Sequence, residues 1–150
     1  MKALTFRQPW ASLVMAGIKD VENRTWRTNY RGRLVIHASS GIDREGMNEH
    51  GRLIADYPHG AILGTVELVD IVRDSTSPWA IAENWHWCLA DPRPYDVPIP
   101  AKGKLRLWTC EVADMALAEG GHLSPDRRDG RREGTGRKRQ TVKARQESRL

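Results

Sequence analysis

The chain has 150 residues, of which 39% are hydrophobic and 29% charged, and a formal net charge of +5. That length fits one domain. There is no run of about 18 apolar residues and no basic-then-apolar leader with a small-residue cleavage site, so neither a helical membrane span nor a secretion signal is expected; two well-separated cysteines fit a cytoplasmic, reducing environment.

The charge is unevenly spread. Residues 120–150 hold ten Lys or Arg against four acids, a net of +6, whereas the first 119 residues sum to −1. From Ser124 to Leu150 the only hydrophobic residues are Val142, Ala144 and Leu150. Such a segment has too little to bury to offset its ordering entropy. The organisation expected is therefore a domain over residues 1–112 and a disordered basic tail over 113–150. A tail of that kind attracts phosphate backbones without reading sequence. Cys88 and Cys110 are well separated and form no CxxC, so neither a disulfide framework nor a zinc site is expected. His86-x-Cys88 lacks a second ligand pair. No phosphate-binding Gly-rich loop or G-x-S-x-G is present, and neither a metal nor a cofactor is expected.

In chain order, Ala3–Phe6 predicts a strand, and Pro9 opens a helix with Trp10, Leu13 and Val14 on one face. Gly17 stops it. Val21–Arg24 is extended and puts Glu22 and Arg24 on one side. A polar loop leads to a strand over Gly32–Ala38. Asp43 caps a helix predicted to reach Tyr57 with a loose stripe of Met47, Leu53 and Ile54. Ala61–Val72 is the strongest strand, Ser77–Glu83 a short helical turn and Trp85–Ala90 a further strand. Asp91–Pro100 carries Pro92, Pro94, Pro98 and Pro100 and predicts an edge or a loop. Leu105–Val112 is the last strand. The fold class expected is α+β: a small, mostly antiparallel β-barrel with one or two helices at its mouth, a parallel α/β sheet being the alternative.

The residues that carry chemistry cluster early. Lys19, Glu22 and Arg24 form a compact set of charges: a buried Lys can act as base or nucleophile, a Glu beside it can relay protons, and Arg24 can hold a phosphate or an oxyanion. Trp10 and Trp26 flank them, and an indole suits stacking on a nucleobase. Arg31, in a Tyr-Arg-Gly turn, can meet a phosphate. His37, with Ser39 on the same face, can donate to a base edge. Each of these side chains also has a purely structural use, as salt bridge, core ring or turn.

The blocks Arg7-Gln8-Pro9-Trp10-Ala11, Gly17-Ile18-Lys19-Asp20-Val21-Glu22-Asn23-Arg24, Tyr30-Arg31-Gly32, His37-Ala38-Ser39, Gly60–Gly64, Trp85-His86-Trp87 and Lys102-Gly103-Lys104-Leu105 stand in one order. Together they resemble the ASCH domain family of the PUA-like superfamily, over roughly residues 2–112, with the nearest likeness to short bacterial and phage forms. The resemblance implies a pseudobarrel with a cleft between its helical lid and its sheet. It also implies binding of RNA or modified nucleotides. For some members it implies amidohydrolase action on acetylated cytidine, or ribonuclease action. The amidohydrolase pattern uses a Lys, a Thr three residues later and a distant Glu. Here Lys19 matches the Lys, Glu22 stands in place of the Thr, Arg24 matches a basic position, and Glu67 and Glu83 are both candidates for the distant acid. The expectation is thus a monomer that binds RNA or another single-stranded nucleic acid, or a modified nucleoside, through Trp10, Arg24, Trp26, Arg31, His37 and Ser39. Lys19 and Glu22 are the catalytic pair if the protein is a metal-independent hydrolase.

Overall fold

A computed structural model describes residues 1–111 of the chain. The tail expected over 113–150 lies outside the described residues.

Six strands and two short helices follow in order: β1 (Lys2–Gln8), α1 (Trp10–Met15), β2 (Val21–Arg24), β3 (Gly32–Ile42), α2 (Arg44–His50), β4 (Ala61–Val72), β5 (Trp85–Pro100) and β6 (Leu107–Thr109). They form one sheet of order β2-β5-β4-β3-β1-β6. The β1–β3 pair is parallel and the other four are antiparallel. The class is α+β, as expected. Among the described residues, no helix is long and apolar enough to cross a membrane.

β3 reads apolar at successive positions because both its faces are covered. Leu34, Ile36 and Ala38 enter the larger core with Leu4, Phe6, Val14, Leu68 and Trp87. Val35 enters a second layer with Ala3, Ile62, Trp108 and Cys110. The alternation of β1 follows the same logic, with Leu4 and Phe6 on one side and Ala3 on the other. α1 lies over the larger layer, with Ala11, Leu13 and Val14 buried. Its approach to the sheet requires Gly64, where a Cβ would sit 2.3 Å from the Arg93 carbonyl oxygen and 2.7 Å from Met15 Cε.

The barrel is not closed. β2 and β6 are the two edges, and no ladder joins β2 to β1. One side chain of β2 nevertheless reaches β1. The Arg24 guanidinium donates to the Thr5 carbonyl at 2.8 Å and lies 5.3 Å from the centre of the Phe6 ring.

Several boundaries differ from expectation. The proline-rich segment is not a loop but the second half of β5, and, as the edge reading expected, it is paired on one side only. Beyond Cys88 this strand pairs only with β4, so its outer side needs no N–H groups and tolerates proline. Its register jumps from Pro94 opposite Gly64 to Ile99 opposite Ile62, leaving residues 95–98 as a bulge. α2 ends at His50 and is followed by a 3₁₀ turn at Gly51–Leu53, well short of Tyr57. The stripe meant to carry it does not pack, since Leu53 is 47% exposed. Residues 77–83 form turns and not a helix. β6 spans Leu107–Thr109 only, because Leu105 and Arg106 belong to the strap that precedes it.

Candidate functional site

The gap between β1 and β2 is a cleft of about 490 Å³. Thr5, Phe6 and Arg7 line it from β1, and Glu22, Asn23 and Arg24 from β2. Trp10, Ser39 and residues 104–106 of the strap between β5 and β6 complete the lining.

Trp10 is held from three sides. Its Nε1 donates to Asp43 Oδ2 at 3.1 Å, and its ring lies edge-on to Trp79 with centroids 6.4 Å apart. α2 presses on it through Gly46, where a Cβ would come within 2.4 Å of the indole. Asp43 also caps α2, accepting from the Gly46 N–H through Oδ1 at 3.0 Å. One carboxylate thus starts the helix and orients the cleft wall.

The three early charges separate into two roles. Glu22 and Arg24 reach the cleft, whereas Lys19 does not line it. Lys19 is 5% exposed; its Nζ donates to the Val21 carbonyl and lies 3.8 Å from Glu22 Oε2. Burial lowers its pKa from the usual value, with Glu22 acting in the opposite direction and Arg24 in the same one. Glu22 also stands 4.0 Å from Arg24 Nε and accepts from the Asn23 N–H at 3.0 Å. Lys19 therefore holds Glu22 from behind, and the carboxylate faces the cavity.

The electrostatic character is clear from the lining. Arg7, Arg24, Lys104 and Arg106 bring four cations, and Glu22 is the only carboxylate among the described residues that line the cleft. Arg106 sits at φ 59, a left-handed conformation that costs a non-glycine residue about 1 kcal/mol. Its guanidinium lies 4.4 Å from the centre of the Trp26 ring, which offsets part of that cost.

Other expected site residues fall elsewhere. Trp26 packs edge-on against Trp87 at 4.8 Å and reaches the cleft only through Arg106. Arg31 is exposed, pairs with Asp70 at 3.3 Å and donates to the Thr28 and Tyr30 carbonyls, away from the cleft. Its own turn takes the donors of Nη1. His37 is 2% exposed and lies behind the strap, in the lining of a neighbouring cleft. Neither candidate for a distant acid lines the seam cleft: Glu67 pairs with Arg33 at 3.4 Å, and Glu83 adjoins the loop after β4. Arg7, Asn23 and Arg106 were not among the expected residues. The Lys102–Leu105 block belonged to the family pattern and was the one sign of the strap.

The class of protein that this chain's fold and sequence define is the ASCH domain. Residues 4–114 match that domain, and the chain belongs to the ASCH family. Two curated relatives carry the name Activating signal cointegrator 1. The one from Homo sapiens is 33% identical over 130 residues, and the one from Mus musculus is 32% identical over 126 residues. In both, 70% of this chain is covered but only 21% of the relative, so the chain spans about a fifth of their length. These relatives are mammalian, so what is established is membership of the family as a whole, not of its short bacterial and phage forms. The crystal structure of ASCH from Zymomonas mobilis superposes with a TM-score of 0.55 at 15% identity, covering 81% of this chain and 96% of that one. A point variant of the same protein gives 0.53. At that identity the likeness concerns the fold alone.

Proposed function

We propose that the chain binds single-stranded RNA and takes one nucleotide into the seam cleft. The observation that carries this is the lining itself, four cations around one carboxylate with an indole fixed at the end. Cations serve phosphate and Trp10 serves a base face. Glu22, held by Lys19, accepts from an exocyclic amino group or ring N–H of the base. A cleft of about 490 Å³ falls within the size range of pockets for small ligands. Unstacked bases of a single strand can enter such a pocket, whereas paired ones cannot. The net charge of +6 over residues 120–150 adds grip on flanking phosphates. In this reading Lys19 is a positioning residue, and Arg31 takes no part.

The test is fluorescence anisotropy with a labelled RNA oligonucleotide across a salt series. Arg7→Ala and Lys104→Ala are each expected to lower the slope of log affinity against log salt by about 0.7, the loss of one phosphate contact. Glu22→Gln is expected to narrow the preference among bases, and Arg31→Ala to change nothing. Equal affinity and slope for wild type and the Arg7→Ala/Lys104→Ala double variant would remove the proposal. Acetylcytidine is assayed alongside. Release of acetate that stops in Glu22→Gln would move the cleft from binding to amide hydrolysis, and shortening of the oligonucleotide would move it to ribonuclease action.

A further inference from the structure

A second cleft, of about 720 Å³, lies on the other side of the strap formed by residues 101–106. Thr5, Ser39, Lys104 and Leu105 line both clefts, so the two share a wall. The second carries two cations: Lys102 and Lys104 line it together with Thr5, Ser39 and Ser40, and none of its described lining residues is a carboxylate. At its rear, His37 Nε2 donates to the Ala101 carbonyl at 2.7 Å. A carbonyl only accepts, so the proton sits on Nε2. Nδ1 is buried and has no hydrogen-bond partner among the described residues. Gly103 lies against that edge of the ring, and a Cβ there would meet Nδ1 at 2.7 Å.

The strap is anchored and yet displays an apolar tip. The Ala101 N–H donates to the Gly60 carbonyl at 3.0 Å, the Thr5 hydroxyl donates to the Lys104 carbonyl at 3.2 Å, and Arg106 rests on Trp26. Between these anchors Leu105 is 92% exposed, more than any other large apolar side chain described. It stands at the divide between the clefts, with a cation on each side in sequence. Apolar side chains so placed part successive bases by insertion.

We propose that Leu105 is a wedge that separates two successive nucleotides of one strand, one entering the seam cleft and the next the second cleft, with Lys104 on the phosphate between them. The ligand class is therefore a single strand of at least two nucleotides and not a lone nucleoside. This rests on the RNA-binding reading of the seam cleft.

The experiment compares a nucleoside monophosphate with RNA dinucleotides on the full chain, one base of the dinucleotide being 2-aminopurine, whose emission rises when it unstacks. The dinucleotide is expected to bind about tenfold more tightly, within the roughly 5- to 150-fold that one more base contact is worth, and its emission to rise on binding. Leu105→Ser alters an exposed tip and leaves the core intact. It is expected to abolish the emission rise and to bring dinucleotide affinity down to that of the monophosphate measured on the same variant. Lys102→Ala is expected to lower the salt slope for the dinucleotide by about 0.7. A gain that survives both substitutions overturns the wedge and leaves the seam reading standing. No affinity of wild type for either ligand overturns both.

Discussion

Replacing Asp43 separates two bonds made by one carboxylate. Oδ1 caps α2 through the Gly46 N–H, and Oδ2 receives the Trp10 indole N–H. Losing an N-cap acceptor costs about 1 kcal/mol. Losing the hydrogen bond from a half-buried indole to a charged acceptor costs about 1.5 kcal/mol. Asp43→Ala loses both and is expected to destabilise the protein by about 2.5 kcal/mol, less any relaxation of the loop into water. In Asp43→Asn the amide oxygen keeps the cap, but its –NH₂ cannot accept from the indole, so about 1.5 kcal/mol is expected. At roughly 3 °C per kcal/mol the two variants should melt about 7 °C and 4 °C below wild type. Urea unfolding followed by circular dichroism measures both, and the slope with denaturant should not change. If Asp43→Asn and Asp43→Ala prove equally stable, the two bonds are not separable and the assignment of the indole to this carboxylate fails.

Two further outcomes follow from buried features. Burial lowers the pKa of Lys19 below the 10.5 of an unfolded lysine. Between the folded value and 10.5 the unfolded chain binds more protons, so this group makes stability rise with pH, by no more than about 1.4 kcal/mol per unit. Lys19→Met lacks that dependence, and other titrating groups are common to both proteins. The gap in stability between wild type and variant should therefore move in favour of wild type from pH 8 to pH 10, as read from urea midpoints. Parallel curves would count against it. Gly64→Ala places a methyl 2.3 Å from a backbone oxygen of β5 and is expected to cost about 3 kcal/mol or more. Wild-type thermal stability in that variant would show that α1 and β5 are packed more loosely than described.

The strands were legible where both faces are covered, because continuous apolar runs such as those of β3 and β4 have few other uses in a chain of this size. The Asp43 cap was equally legible from its local chemistry. The helix behind that cap was overextended, because what α2 buries is Gly46 against an indole and not its apolar stripe. Prolines hid half of β5, since sequence cannot show that the outer side of a strand has no neighbour. At the site, Trp10, Glu22, Arg24 and Ser39 were anticipated and do line the seam. Arg7 and Arg106 were not, because they come together only when the sheet curls and the strap folds back between β1 and β2. Arg31, from its turn, and His37, from its strand end, were expected to meet the ligand, and neither lines the seam. The turn at Arg31 and the depth of His37 follow from contacts made by distant residues, Asp70 and Ala101.

Leaving the last pairing of the sheet to the side chain at position 24 has an evolutionary side. A ladder would lock the spacing of β1 and β2 at one value for every descendant of the fold. A guanidinium acts instead as an adjustable gauge: a shorter donor there, such as lysine or glutamine, would retune the aperture without shifting the register of any strand.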